Sequence, residues 1–213
     1  MWYIFSMLAP TPDTLAAAAR LLLDGGVVVI PTDTVYGIAA HPARAQAVAR
    51  IRTIKGRPTN KPIALLAADI EAVTAFGATL PPAARRLAAA YWPGALTLVL
   101  PCRGDACEGF RVPNHDAVRS LLAACGGTLR VTSANLSGSM PATTAVDALR
   151  DVGLEADLVI DGGVSPGGVA STVVQVDANG AVTVLRECAI PASEILHAAG
   201  VANPTHFPLP PSA

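Results

Sequence analysis

The chain has 213 residues, enough for one well-packed domain and crowded for two. Hydrophobic residues make up 52% and charged residues 15%, a balance that excludes intrinsic disorder. Fifteen Lys+Arg against 16 Asp+Glu leave a formal charge of −1, so no global basic field draws in nucleic acid and any RNA contact is a local patch.

Residues 1–5 are apolar but lack the basic region and the longer apolar run of a signal peptide, and they read as an edge strand or ordered arm. Thr11-Pro12-Asp13 opens a helix whose apolar stripe is Leu15, Ala18, Ala19, Leu22 and Leu23, stopped by Gly25-Gly26. Residues 27–30 are a β-branched run of the kind buried on both faces, ending at Pro31-Thr32-Asp33-Thr34, where open α/β sheets commonly bind ligands. A second helix is predicted over 43–53, after which Pro58 biases Arg57 towards an extended conformation.

Residues 63–66 read as a strand, 81–91 as a helix opened by prolines, 95–100 as a strand and 109–112 as a short one. A strand over 129–132 leads into the small, polar segment Ser133-Ala134-Asn135-Leu136-Ser137-Gly138, ahead of a helix near 144–150. Residues 158–160 and 172–176 are strands, and Asn179-Gly180 signals a type I′ hairpin into 182–185. One short helix fits after Pro191, before a Pro-rich end over 204–213. The expected organisation is one domain over 1–190, followed by a short helix and tail over 191–213. No run reaches the ~18 consecutive apolar residues of a membrane helix, so the expectation is a protein that is not membrane-bound.

Cys102, Cys107, Cys125 and Cys188 form no C-x-x-C pair and the four histidines show no H-x-x-x-H spacing. Neither a protein-held metal site nor a disulfide framework is indicated, which fits reduced thiols in the cytoplasm. Lys55 and Arg57 flank Gly56, so in an extended loop both cations can point to one side and suit a polyphosphate, although most such pairs are solvated surface. Thr32, Thr34 and Tyr36 place hydroxyls at a strand end, where they orient a small polar substrate or merely cap a turn. Ser133, Asn135 and Ser137 offer short donors and acceptors with the same two readings. Arg111 lies between Phe110 and Val112 in an apolar strand, and a half-buried guanidinium requires an anionic partner, either a substrate carboxylate or an internal Asp or Glu. Arg186, at the end of the last strand, carries the same ambiguity. There is no G-x-x-x-x-G-K-[ST] loop, no G-x-G-x-x-G after a strand, and no Ser-His-Asp arrangement.

Four ordered segments, Pro31-Thr32-Asp33-Thr34-Val35-Tyr36-Gly37, Lys55-Gly56-Arg57-Pro58, Thr132-Ser133-Ala134-Asn135-Leu136-Ser137-Gly138 and Ser171-Thr172-Val173-Val174, together resemble the YrdC-like threonylcarbamoyl-AMP synthase family. The resemblance runs from about residue 15 to residue 186. It implies a twisted, open, mixed parallel and antiparallel α/β sheet with flanking helices around a large concave cavity. It also implies nucleotidyl transfer: threonine's amino group captures bicarbonate as a carbamate, whose oxygen attacks the α-phosphorus of ATP and expels pyrophosphate. Mg2+ would ride on the phosphates. The product would pass through tRNA-modifying transferase proteins to an adenosine of tRNA.

Carried over by position, the resemblance makes Lys55 and Arg57 the catalytic cations. It puts ATP against Lys55, Arg57, Lys61, Cys107, Ser133, Asn135, Pro141 and Arg186. It puts L-threonine against Thr32, Thr34, Tyr36, Leu66, Arg111, Val131 and Ser171, with Arg111 on the carboxylate. The chain departs from the family pattern at Lys61, where relatives often carry an amide, at Leu66 for histidine, at Cys107 for threonine and at Ala170 for glutamate. The few residues after Arg186 match the single-domain form, which depends on separate partner proteins. Two rival readings remain at this point: a non-catalytic module with weak double-stranded RNA or tRNA contact, and a carbamoyl-transfer domain, which usually sits in a much longer chain.

Overall fold

The computed structural model describes residues 7–201; the arm expected over 1–5 and the Pro-rich end over 204–213 lie outside them. Met7–Leu8 forms the short strand β1. Thr11 then caps α1 (Pro12–Leu23), its hydroxyl accepting from the Thr14 amide at 3.2 Å, and Pro12 sits in the first turn, where a missing N–H removes no helical hydrogen bond. The strand β2 (Val27–Ile30) is buried along its whole length because both its faces are covered: Val28 and Ile30 pack with α1, while Val27 and Val29 face a second core.

The chain continues through β3 (Gly37–Ala40), α2 (Ala45–Lys55), β4 (Leu65–Ala67), α3 (Ile70–Phe76), α4 (Pro82–Tyr91), β5 (Leu96–Pro101) and β6 (Cys107–Arg111). It is completed by α5 (Asp116–Ala124), β7 (Thr128–Ser133), α6 (Ala145–Asp151), β8 (Leu158–Ile160), β9 (Thr172–Val176), β10 (Val182–Arg186) and α7 (Ala192–Ala199). The described strands join one open mixed sheet in the order β1-β8-β2-β3-β7-β4-β6-β5-β9-β10. The pairs β1–β8, β2–β8, β4–β6 and β5–β9 are parallel, and the remaining neighbours are antiparallel. Helices flank the sheet over three apolar clusters. One is built on β4, β5, β6 and β9 under α4 and α7, one on β2 and β7 under α1 and α5, and one on β2 and β3 under α2 and α6.

Several elements differ from the sequence expectation. β3 is a strand although Gly-Ile-Ala-Ala has little intrinsic strand preference; it is held because β2 and β7 hydrogen-bond to both of its edges. The helices α3 and α5 were not expected, yet α3 has Asp69 accepting from the Ala72 amide at 2.8 Å, and α5 buries Val118, Leu121 and Leu122 at helical spacing. The second helix runs two residues further than expected, so Lys55 is helical. Gly56 adopts φ 59°, and the Arg57 amide reaches back to the Arg52 carbonyl at 2.9 Å, a left-handed helix end rather than an extended loop. The β9–β10 hairpin forms, but the Gly180 amide bonds the Asp177 carbonyl at 3.0 Å, so Ala178 and Asn179 are its central residues and the expected type I′ turn is not the one used.

Ile195 and Ala199 of α7 join the core under α4, and Arg86 donates to the Ala199 carbonyl, so this helix is part of the same folded body. No described helix is long and apolar enough to cross a membrane.

Candidate active site

A cavity of about 400 Å³ opens over the middle of the sheet, where the ends of β2, β7 and β6 meet the loops after α2 and β8. Its polar wall contains two groups. Arg57, Lys61 and Arg186 give it cations, and Thr32, Thr34, Arg111 and Ser171 give it hydroxyls and a buried guanidinium. Among the described residues no Asp or Glu lines the wall, and no group of three His, Cys, Asp or Glu side chains is placed to hold a metal ion.

Arg57 is half-buried because it ties down its own loop: its guanidinium donates to the Pro62 carbonyl at 2.8 Å, while Arg52 donates to the Lys61 carbonyl at 2.9 Å. Burial, then the nearby Arg52 and Arg186 charges, lower the Arg57 pKa. Arg186 is exposed and donates to the Ser171 carbonyl at 2.8 Å, which places a third cation near the same wall.

Lys55 does not line the cavity. It is 2% exposed, and its ammonium donates to the backbone carbonyls of Ser133 and Asn135, while the Ser137 amide returns a bond to the Lys55 carbonyl at 3.0 Å. Burial, and then the Arg57 charge, lower its pKa to about 8. Ser133 lines the cavity, whereas Asn135 and Pro141 do not. The Asn135 amide group donates to the Leu136 and Ser139 carbonyls at 2.9 and 2.7 Å, shaping the loop, and its Oδ1 is buried without a hydrogen-bond partner.

Arg111 is 7% exposed. Its Nε donates to the Gly94 carbonyl at 2.9 Å, its Nη1 to Thr34 Oγ1 at 2.7 Å, and its Nη2 to Asp33 Oδ1. Of the two anions left open by the sequence, an internal one is present: Asp33 balances the buried charge, leaving one N–H on each terminal nitrogen uncommitted. Burial lowers the Arg111 pKa, and Asp33 opposes that shift.

Tyr36 reaches the cavity wall, but its hydroxyl is spent elsewhere. It donates to the Gly163 carbonyl at 2.6 Å and accepts from the Gly162 amide at 3.1 Å. Burial raises the phenol pKa, against the Gly162 N–H, which lowers it. Further along the same strap, the Gly167 and Gly168 amides bond the Asp33 and Thr34 carbonyls at 3.1 and 2.9 Å. A Cβ on Gly167 would sit 2.6 Å from the Asp33 carbonyl oxygen, so only glycine allows this approach. The strap delivers Ser171, whose hydroxyl is 2.8 Å from Thr97 Oγ1.

Leu66, Val131 and Cys107 also line the cavity. The structure thus gathers twelve of the fifteen expected site residues on one wall and sets Lys55, Asn135 and Pro141 behind it. Sequence reasoning did not assign Asp33 or Thr97. Asp33 lay inside a segment already singled out, and Thr97 is a lone hydroxyl in the apolar run Leu96-Thr97-Leu98, a pattern that marks a buried polar side chain needing a partner.

The Sua5_yciO_yrdC family model, described as Telomere recombination, matches residues 20–188. A threonylcarbamoyl-AMP synthase of Bacillus subtilis is 36% identical over 177 residues, covering 78% of this chain and 51% of the relative. Another from Pyrococcus abyssi is 34% identical over 166 residues, covering 74% and 49%. The chain therefore spans about half the length of these two relatives. A crystal structure of P. abyssi Sua5 complexed with L-threonine superposes with a TM-score of 0.82 at 31% identity, over 88% of this chain and 58% of that one. The match to the family model extends over most of the ten-stranded sheet and all four segments that carry the site, and on that basis the chain belongs to the Sua5/YciO/YrdC family.

Proposed function

We propose that the chain is a threonylcarbamoyl-AMP synthase, a nucleotidyltransferase that forms L-threonylcarbamoyladenylate and pyrophosphate from L-threonine, bicarbonate and ATP. The observation that carries this reading is one cavity whose wall combines Arg57, Lys61 and Arg186 with Arg111, Thr34 and Ser171. The first three suit a polyphosphate and the others a small zwitterion.

In this reading the threonine amine combines with bicarbonate, releasing water, and the carbamate oxygen displaces pyrophosphate from the α-phosphorus. Such a reaction needs alignment and charge neutralisation more than a protein nucleophile. Arg57, Lys61 and Arg186 neutralise the leaving pyrophosphate, and Mg2+ enters on the ATP phosphates as part of the substrate, consistent with a wall whose charged members are cations. Lys55 serves the nucleotide through the loop it holds, and Ser133 faces the nucleotide from the end of β7. Arg111 receives the threonine carboxylate on its two uncommitted N–H groups. Cytoplasmic tRNA-modifying transferases consume the product.

The test is pyrophosphate release with each substrate omitted in turn. Release that requires both L-threonine and bicarbonate supports the reading. Equal release without threonine overturns it, and salt-sensitive RNA retention with no turnover would favour an RNA-binding module instead.

A further inference from the structure

Trp92 is not part of the cavity wall. It lines a separate groove of about 320 Å³ with Ala88 and Val112, yet it closes the turn on which Arg111 rests. β5 and β6 pair from Leu98 opposite Phe110 onwards, so Leu96 stands two residues ahead of that ladder. The Ala95 carbonyl faces β9, where it accepts from the Thr172 amide at 3.0 Å, so the next carbonyl, that of Leu96, faces the β6 side. Leu96 is fully buried, and a buried carbonyl needs a donor. The Trp92 indole supplies it at 2.7 Å. An indole N–H can only donate, so the direction of this bond is fixed.

The turn closed in this way presents Gly94. Its amide donates to the Val112 carbonyl at 2.8 Å and its carbonyl accepts from Arg111 Nε at 2.9 Å, so Arg111 and the residue after it grip both polar groups of Gly94. A Cβ on Gly94 would lie 2.6 Å from the Tyr91 carbonyl oxygen, so the turn hugs the end of α4 and has no slack. The other two Arg111 anchors, Thr34 and Asp33, both hold terminal nitrogens. Two anchors leave a planar guanidinium free to rock about the line joining them, and a third on Nε stops that motion.

We propose that Trp92 is a positioning residue for Arg111: its indole N–H holds the turn so that the Gly94 carbonyl fixes the guanidinium plane and aims the two uncommitted N–H groups at a substrate carboxylate. The inference rests on the amino-acid reading of the cavity given above. Trp92 touches no substrate, and its effect reaches the carboxylate only through Gly94 and Arg111. A bidentate carboxylate contact depends on coplanar N–H groups, so a rocked guanidinium loses the contact without losing its charge. Phosphates held by Arg57, Lys61 and Arg186 are indifferent to that motion.

The test uses Trp92→Phe and, separately, replacement of Trp92 by its benzothienyl isostere, in which sulfur takes the place of the N–H and the ring volume is kept. The isostere reports on the N–H even if Trp92→Phe does not fold. In the ligand-free chain, hydrogen exchange at Arg111 Nε is followed by heteronuclear NMR, and it is expected to quicken about tenfold in both variants. Calorimetry should show L-threonine affinity weakened about tenfold and ATP affinity nearly unchanged. Unchanged exchange at Arg111 Nε in the isostere would mean that Trp92 only fills its groove. Equal losses for L-threonine and ATP would mean a general loosening of the fold, and full L-threonine affinity alongside faster exchange would mean that the guanidinium plane is irrelevant to the ligand. Each of these overturns the proposal. If the unmodified chain binds no L-threonine, the amino-acid reading fails, while exchange at Arg111 Nε still decides whether Trp92 holds Arg111.

Discussion

Lys55, in the last turn of α2, donates its ammonium hydrogens to the main-chain carbonyl of Ser133, 78 positions later at the end of β7. With the Asn135 carbonyl on the same nitrogen, the side chain works as a clamp on the loop beside the cavity. Replacing it with methionine keeps the apolar stem but leaves two carbonyls without their donor, and each such loss costs about 1–3 kcal/mol when the group stays buried. Lys55→Met is expected to lower the urea midpoint and to speed hydrogen exchange at the Ser137 amide, whose partner is the Lys55 carbonyl. Pyrophosphate release should fall sharply. Unchanged exchange at Ser137 would show that the loop holds itself.

The same ammonium sets a pH dependence. Its pKa lies near 8 in the folded chain, below the ordinary lysine value, so the unfolded chain binds more protons here between about pH 8 and 10.5. Stability contributed by this group consequently rises with pH across that window. Anion binding runs the other way, because a bound polyphosphate favours the charged form and loses that support as pH rises through 8. Pyrophosphate affinity measured from pH 7 to 9.5 should decline in the unmodified chain and lose this component in Lys55→Met.

Arg111 and Asp33 form a buried ion pair, with side chains only 8% and 11% exposed. Removing one partner leaves an uncompensated charge, which typically costs about 3–5 kcal/mol. Arg111→Met should therefore destabilise strongly, and the double variant Asp33→Asn with Arg111→Met should recover much of the loss, as read by a double-mutant cycle in denaturant. Arg111→Lys should not substitute, because an ammonium cannot span Gly94, Thr34 and Asp33 in the guanidinium's planar geometry.

The strap after β8 is fixed by Tyr36 near one end and by Gly167 near the other. Tyr36→Phe leaves the Gly162 N–H and the Gly163 carbonyl without the hydroxyl, at a cost of about 1–3 kcal/mol. Gly167→Ala places a methyl 2.6 Å from the Asp33 carbonyl, and the strap must move off the turn by an overpacking penalty of about 1–3 kcal/mol. Both variants should weaken L-threonine binding through Ser171 more than ATP binding. Parallel calorimetric titrations would separate the two effects.

Taken alone, the sequence determined the elements whose local signals agree with their surroundings. β8 and β9 fall where the expectation put them, as does β2, because a continuous β-branched run buried on both faces is legible without knowing its neighbours. The four ordered motifs likewise lie in segments that each contribute residues to the cavity wall. Tertiary structure alone decided what lies between those segments. β3 is a strand only because two neighbours supply hydrogen bonds to both of its edges, and Asp33 is the anion for Arg111 only because β6 carries the guanidinium to the end of β2. The same holds for Lys55, which the spacing with Arg57 placed in an extended loop facing phosphate. A left-handed helix end turns it inward to the Ser133 and Asn135 carbonyls instead. Periodicity and turn chemistry act over a few residues, whereas burial and hydrogen-bond satisfaction are settled by residues 77 to 80 positions apart, a separation at which pattern carries no information and packing carries all of it.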